Sequence, residues 1–130
     1  MLYSRGIVEK DYEQLCEWWR EWGWEHPMPQ HLLGQGVMIC DDEVNICAGF
    51  LYTLKEAPIA WFTFPISNPN VRGDIRKYAI QLLIQNMTEK AKESGAQLMY
   101  SALRNISMIE AQKEAGFVAN GGYTELIKNL

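Results

Sequence analysis

The chain has 130 residues, of which 48% are hydrophobic and 22% are charged, and its formal net charge is −4. This length and composition predict a single folded domain over residues 1–130 and exclude a disordered chain. No cluster of Lys or Arg offers the positive surface that a nucleic-acid backbone needs, and no apolar run is long enough to cross a bilayer. We therefore expect neither nucleic acid nor membrane as a partner.

Cysteine usage indicates a reducing compartment. The three cysteines are Cys16, Cys40 and Cys47, an odd number without a C-x-x-C pair. We expect reduced, buried thiols in a cytoplasmic protein, because the first residues also lack a signal-peptide pattern. His26 and His31 have no third ligand at a suitable spacing, so no metal site is predicted.

The first half of the chain reads as a strand, two helices and a run of strands. Residues 2–8 predict the first strand, and Asp11 is placed as the N-cap of a helix that Gly23 ends. A short second helix is expected near residues 30–33. Alternating patterns over residues 36–40 and 44–52 predict a hairpin, and residues 58–66 predict another strand.

The second half begins with the strongest helical pattern. Apolar residues recur every four positions from Ile75, and the helix is expected to run from Asp74 to just before Gly95. Residues 97–103 predict a strand, and Asn105 is placed as the cap of a last helix. Two closing strands are predicted at 117–119 and 123–128.

The predicted order is therefore β-α-α-β-β-β-α-β-α-β-β. Such an order favours an α/β (α+β) domain with a mixed central sheet flanked by helices on both faces.

Two segments in this order resemble motifs of the GNAT superfamily of N-acetyltransferases. Pro69-Asn70-Val71-Arg72-Gly73, placed before the long helix, is similar to the start of the family's R/Q-x-x-G-x-G/A loop. The stretch from Asn105 to Gly116-Phe117 resembles the family's tail motif, with Ile109 also in register. The cluster Trp18-Trp19 with Trp22-Gly23 also resembles a small group of phage-type GNAT-like proteins.

The resemblance implies the GNAT acyl-CoA N-acyltransferase fold and acetyl-CoA as co-substrate. In that fold the pyrophosphate lies at the N-terminus of the long helix, where backbone N–H groups are free. The pantetheine arm lies in a gap between the fourth strand and its parallel neighbour. The residues it implies for cofactor binding are Phe64, Pro65, Ile66, Val71, Arg72, Gly73, Asp74, Ile75, Arg76, Lys77, Asn105 and Ser107.

The loop departs from the family pattern. Ile75 and Lys77 occupy the two glycine-like positions, and a β-branched Ile resists positive φ and takes up room near the phosphates. Asp74 has the wrong sign of charge for CoA, although it suits a helix N-terminus. Arg72, Arg76 and Lys77 could hold phosphates by their side chains, or could simply be a solvated first helical turn.

The last helix departs as well. Gln112 stands where the family often has a Tyr that protonates the leaving thiolate, and an amide cannot act as an acid at neutral pH. Tyr100 and Tyr123 are the candidate catalytic residues, with water or a purely structural role as alternatives. Trp18, Trp22 and Trp24 exceed what one helix stripe can bury and could line an acceptor pocket or an oligomer surface.

The resemblance implies an enzyme that moves an acetyl group directly from acetyl-CoA to a primary amine on a small molecule or peptide. The alternative is a catalytically impaired GNAT-fold binding module with a degenerate CoA loop. A homodimer is possible at the level of the family. The identity of the amine is left open by the sequence.

Overall fold

The computed structural model of the protein describes residues 1–130, which form five strands, three α-helices and one 3-10 turn. The elements are β1 (Leu2–Gly6), α1 (Asp11–Glu21), a 3-10 turn (Gln30–Leu32), β2 (Gln35–Asp41), β3 (Val44–Thr53), β4 (Ile59–Ser67), α2 (Gly73–Glu93), β5 (Leu98–Ser101) and α3 (Ile106–Glu114). The predicted order is confirmed as far as α3. The expected second helix is a single 3-10 turn, because β2 begins at Gln35 and leaves only Leu33 and Gly34 between the turn and the strand.

The strands form one mixed sheet in the order β1-β2-β3-β4-β5. The first four strands pair antiparallel, and β5 lies parallel to β4. The predicted hairpin turns through Asp42 and Glu43, with Asp42 in the left-handed region at φ 53. Because α2 connects two parallel neighbours, the carboxyl ends of β4 and β5 lie at the same edge of the sheet.

Each face of the sheet has its own apolar core, so the mixed sheet flanked by helices is confirmed. On one face α1 packs against strand residues through Leu15, Trp18 and Trp19. On the other face α2 packs through residues such as Leu83 and Met87. Trp18 is only 3% exposed, so the expectation that it lines a pocket or an oligomer surface is wrong.

The helix ends follow the sequence closely, with one exception. Gly23 and Gly95 have φ of 93 and 88 and follow the ends of α1 and α2, as glycine allows. The Asn105 side chain caps α3 by accepting a bond from the Met108 N–H at 3.0 Å. Asp11, however, is the first helical residue and not the N-cap of α1.

Asp11 instead forms a buried ion pair that joins β1 to α1. Its two carboxylate oxygens accept bonds from the Arg5 guanidinium at 2.8 and 2.9 Å, and one also accepts the Val8 N–H at 2.9 Å. The Arg5 guanidinium holds the pKa of the Asp11 carboxyl below its usual range, with help from the Val8 N–H. Arg5 also donates to the Asn45 side chain on β3 at 3.1 Å, so the pair connects three elements.

The two predicted closing strands are not formed. Residues 117–130 contain no strand or helix, and Tyr123, Leu126 and Ile127 are 83%, 88% and 73% exposed. Alternating hydrophobicity predicts a strand only where a partner edge exists. The one free edge at this end is β5, which has only four residues.

Candidate active site at the end of strand β4

The sheet opens between β4 and β5 toward the carboxyl end of β4. Strand β4 continues to Ser67, but β5 pairs only with Ile59–Phe62, and the last paired residues are Phe62 and Ser101. The last five residues of β4 therefore extend beyond their parallel neighbour. The backbone on this side of β4 is free of strand pairing beside Phe64 to Ile66.

A bulge distorts β4 at the same place. Phe64 has a φ of 51, and the pairing of β3 with β4 shifts register between Ala48 and Phe50. Left-handed backbone costs about 1 kcal/mol for a residue other than glycine, so the surrounding structure must hold Phe64 in place. Pro65, which follows, has no N–H to donate to a ladder.

Two helix N-termini flank this opening, because β4 leads into α2 and β5 leads into α3. The start of α2 has no side-chain cap at Arg72, and its first helical bond is donated by the Arg76 N–H to the Arg72 carbonyl at 3.0 Å. The N–H groups of Gly73, Asp74 and Ile75 therefore have no helical carbonyl as acceptor. An uncapped helix N-terminus carries a partial positive charge and favours an anion.

The loop before α2 is held in a fixed shape. The Asn68 N–H donates to the Ile46 carbonyl at 2.7 Å, and its side-chain amide donates to the Asn45 carbonyl at 3.0 Å. The Asn70 N–H donates back to the Asn68 side chain at 3.0 Å. These bonds tie the loop to the start of β3 and so fix the direction in which α2 points.

No protein-family model and no curated protein matches this sequence. Solved structures do match its fold. An acetyltransferase from Trypanosoma brucei has a TM-score of 0.68 at 13% identity over 98% of this chain and 100% of its own. An aminoglycoside acetyltransferase from a soil metagenome, in complex with sisomicin, has a TM-score of 0.70 at 15% identity over 99% and 96%. The aminoglycoside N-acetyltransferase AAC(6')-Iy in complex with CoA has 0.69 at 15% identity over 100% and 96%.

This chain has the GNAT acetyltransferase fold. The opening of the sheet beside β4, which the resemblance implied, is confirmed by the pairing of β4 and β5. Identities of this size establish a shared fold, and the roles of individual residues have to be read from the geometry of this chain. The phage-type resemblance of the tryptophan cluster stays a prediction.

Arg72 is placed at the GNAT loop but is already paired. Its guanidinium donates to both Asp74 carboxylate oxygens, at 2.7 and 3.1 Å. Arg72 holds the pKa of the Asp74 carboxyl below its usual range, and the N–H groups of Ile75 and of Asp74 itself lower it further. The Asp74 carboxylate thus lies at the helix N-terminus, near N–H groups that would otherwise face an external anion.

The Arg76 guanidinium contacts the loop before α2 and a ring at the end of α1. It donates to the carbonyl oxygens of Pro69 and Val71, and it lies 5.7 Å from the centre of the Trp22 ring. Trp22 in turn donates its indole N–H to the Ser67 carbonyl at 2.7 Å. Arg76 therefore braces the loop against the end of α1, and only its remaining N–H groups could reach a phosphate.

The two residues at glycine-like positions do not obstruct the loop. Ile75 is helical, and its half-buried side chain packs against the core under α2, away from the solvent. The expected conflict with positive φ does not arise, because the helix has already begun at Gly73. Lys77 is exposed on the next turn.

At the start of α3, one of the backbone N–H groups is hydrogen-bonded to the side chain of the N-cap residue. Asn105 accepts the Met108 N–H, and Ser107 is exposed on the first turn. The backbone carbonyl of Asn105 accepts the Ile109 N–H at 3.0 Å, so the side-chain N–H₂ is the group that Asn105 keeps for other partners. Because β5 runs parallel to β4 and leads into α3, Asn105 and Ser107 lie at the same edge of the sheet as the loop before α2.

The two candidate catalytic tyrosines lie in different parts of the chain, one on β5 and one in the C-terminal segment. Tyr100 lies on β5 and is 50% exposed, with its ring 5.5 Å from that of Trp61. Tyr123 is 83% exposed and lies in the C-terminal segment, outside any helix or strand. Gln112 is only 3% exposed, and its side-chain Nε2 has no hydrogen-bond partner.

Two features of the site were missed in the sequence. The contact of Trp22 with Ser67 joins residues 45 apart in the chain, and no local pattern indicates it. Ser101 lies at the last rung before the opening, and its buried hydroxyl oxygen has no partner. A serine at the end of a short strand gives no sequence signal of this position.

No helix in the structure combines the length and the apolar character that crossing a membrane requires.

Proposed function

We propose that the protein transfers an acetyl group from acetyl-CoA to a primary amine. The observation that carries this proposal is the opening between β4 and β5, with the uncapped N-terminus of α2 directly beside it. An uncapped helix start suits a pyrophosphate, and free strand backbone suits the amide-rich pantetheine arm. The two features occur together at one edge of the sheet.

The residues present fit acetyl-CoA as co-substrate. The N–H groups of Gly73, Asp74 and Ile75, together with Arg72, would hold the pyrophosphate. Backbone from Phe64 to Ile66 would pair with the pantetheine amides. The polar groups of Asn105 and Ser107 would contact CoA from the start of α3.

Acetyl-CoA supplies a thioester whose carbonyl carbon accepts the amine nitrogen. A C–N bond forms, the C–S bond breaks, the nitrogen loses a proton and the thiolate gains one. The chain contributes mainly by holding both reactants in register and by offering strand N–H groups to the carbonyl oxygen. No group of the chain has to form a covalent bond in this scheme.

Calorimetric titration with acetyl-CoA, with S-acetylpantetheine as the matched ligand lacking the pyrophosphate, tests the binding site. We expect acetyl-CoA to bind at micromolar concentration and S-acetylpantetheine to bind far more weakly. Equal affinity for the two ligands would contradict a pyrophosphate site at α2. The absence of binding heat at millimolar acetyl-CoA would contradict acetyl-CoA as the co-substrate.

A second candidate function is a GNAT-fold binding module that has lost catalysis. Gln112 favours it, since a buried amide stands in place of an acid. The Arg72–Asp74 pair also favours it, because an internal carboxylate competes with a phosphate. Release of free thiol from acetyl-CoA across a panel of amines separates the two functions: turnover excludes the module, and binding of acetyl-CoA without turnover of any amine in the panel favours it.

The setting proposed for this activity is the cytoplasm. Cys16, Cys40 and Cys47 are buried and unpaired, and burial raises the pKa of the Cys47 thiol. Such cysteines are small apolar core residues in a reducing environment. A homodimer is part of the same proposal and is tested by the native mass in solution.

A further inference from the structure

A row of aromatic side chains lies across the open half of the α1 face of the sheet. Tyr52 on β3 pairs in register with Trp61 on β4, and Trp61 pairs with Tyr100 on β5. Directly paired residues point to the same side of a sheet, so the three side chains form one continuous row. We call this row the aromatic floor.

The aromatic floor is left uncovered by α1. Trp61 and Tyr100 are 46% and 50% exposed, and their rings lie 5.5 Å apart at an angle of 36°. Tyr52 is partly buried and donates its hydroxyl to the Leu32 carbonyl, which ties the floor to the segment that follows α1. Two half-exposed rings side by side give a continuous apolar surface that a flat apolar group can cover.

The floor lies next to the opening where the thioester is proposed to lie. Pairing of β4 with β5 ends at Phe62, one residue beyond Trp61. One residue of strand spans about 3 Å, so a molecule on the floor would be within reach of an acetyl group in the opening. At the opposite side of the bulge, Trp24 contacts the Phe64 ring edge-on at 6.1 Å and adds an aromatic wall.

The floor has no charge of its own. Strands β3, β4 and β5 contain no Asp, Glu, Lys or Arg. An acceptor with several ammonium groups needs carboxylates to bind its extra charges, and these strands supply none. An acceptor whose one amine is attached to a flat apolar group needs only an aromatic surface and access to the thioester.

We infer that the aromatic floor binds the acceptor of the acetyl group, and that this acceptor is an aralkyl monoamine whose ring stacks on Trp61 and Tyr100. The inference rests on the proposed acetyltransferase function and names the class of its second substrate. Tyr100 then acts in binding through its ring, and its hydroxyl is not required.

Initial rates at saturating acetyl-CoA test the inference, with phenethylamine as the probe. Isopentylamine, which has a branched alkyl end in place of the ring, is the matched control amine, and spermidine represents a polycation. We expect kcat/KM to favour phenethylamine by about tenfold, the scale of one aromatic pair. Equal or better use of isopentylamine or spermidine would overturn the inference.

Substitutions test whether the rings of Trp61 and Tyr100 are what binds the acceptor. Trp61→Ala and Tyr100→Ala should each raise KM for phenethylamine about tenfold with little change in kcat. Tyr78→Ala, which removes an exposed ring from α2 on the opposite face, should leave KM unchanged. An unchanged KM in Trp61→Ala or in Tyr100→Ala would contradict stacking on the floor.

Two further measurements distinguish failure of this inference from failure of the proposed acetyltransferase function. Acetyl-CoA affinity by calorimetry should be the same in wild type and in all three variants. Loss of acetyl-CoA binding in wild type itself would defeat the transferase, whereas intact binding without a ring preference would defeat only the aralkyl acceptor. Native mass supplies the last check: a dimer that Trp61→Ala converts to monomer would make the floor a subunit contact and overturn the inference.

Discussion

Two Arg–Asp pairs occupy helix N-termini in this protein, and they differ mainly in burial. Arg5 and Asp11 meet at the start of α1, where the Asp11 side chain is only 4% exposed. Arg72 and Asp74 meet at the start of α2, with side chains 77% and 60% exposed. At the start of α1 the ion pair therefore stabilises the fold, because no ligand can reach and replace Asp11. At the start of α2 the Asp74 carboxylate is in solvent, and an external anion can take its place.

Asp11→Asn is expected to have the largest effect on stability. It keeps the shape of the side chain but leaves the Arg5 charge without its carboxylate, which should lower the free energy of unfolding by about 2–3 kcal/mol. Urea denaturation at pH 7 measures this. Asp41→Asn is the control, since Asp41 pairs with the Met1 ammonium in solvent and its loss should change little.

The same pair predicts a pH dependence. The pKa of Asp11 is lowered in the folded protein, so its contribution is complete above the unfolded pKa of about 4 and is lost as the pH falls through the lower folded pKa. The wild-type free energy of unfolding should therefore decrease below about pH 4 more steeply than that of Asp11→Asn. Parallel pH profiles would show that the buried pair contributes nothing specific.

Arg72→Ala is expected to weaken acetyl-CoA binding about tenfold, because it removes a phosphate partner and leaves the Asp74 carboxylate unneutralised. Stability should be unchanged, since the pair is in solvent. Calorimetry measures the affinity, with Lys55→Ala as a control that removes a positive charge from the β3–β4 loop at the opposite edge of the sheet. A loss of stability with unchanged affinity would make Arg72 a structural residue like Arg5.

Asn105→Ala tests the helix start that has a side-chain cap. Without the bond to the Met108 N–H, the free energy of unfolding should fall by about 1 kcal/mol, the usual cost of losing an N-cap. Asn105→Asp keeps the cap and should retain stability. If both variants lose stability equally in thermal or urea unfolding, the cap is not what holds α3.

Asp74→Asn should give the smallest effect, and its sign is informative. Neutralising the internal anion at the start of α2 should strengthen acetyl-CoA binding by about two- to fivefold. Calorimetry at low and high salt measures it, and the gain should shrink as salt screens the charge. Weaker binding in Asp74→Asn would show that Asp74 supports the ligand instead of competing with it.

The sequence predicts helices and strands well where the spacing of apolar residues matches the buried face, and where the stabilising contacts are made within a few residues. The helix from Gly73 to Glu93 and the Asn105 cap depend on neighbours within a few residues, and both were predicted. The strands expected at 117–119 and 123–128 depend on a partner edge that no local pattern describes. Side-chain pairing at the site also escaped prediction, since the contact of Arg76 with Trp22 joins residues far apart in the chain.

The left-handed backbone at Phe64 has a consequence for how this edge of the sheet behaves. A strand that ended in regular pairing there would invite β5 to extend alongside it and close the edge. The distortion works against such an extension, so the backbone of β4 beside Phe64 to Ile66 stays free of strand pairing in the fold itself. A reactant that binds there does not have to break strand pairing first, and its affinity is not reduced by that cost.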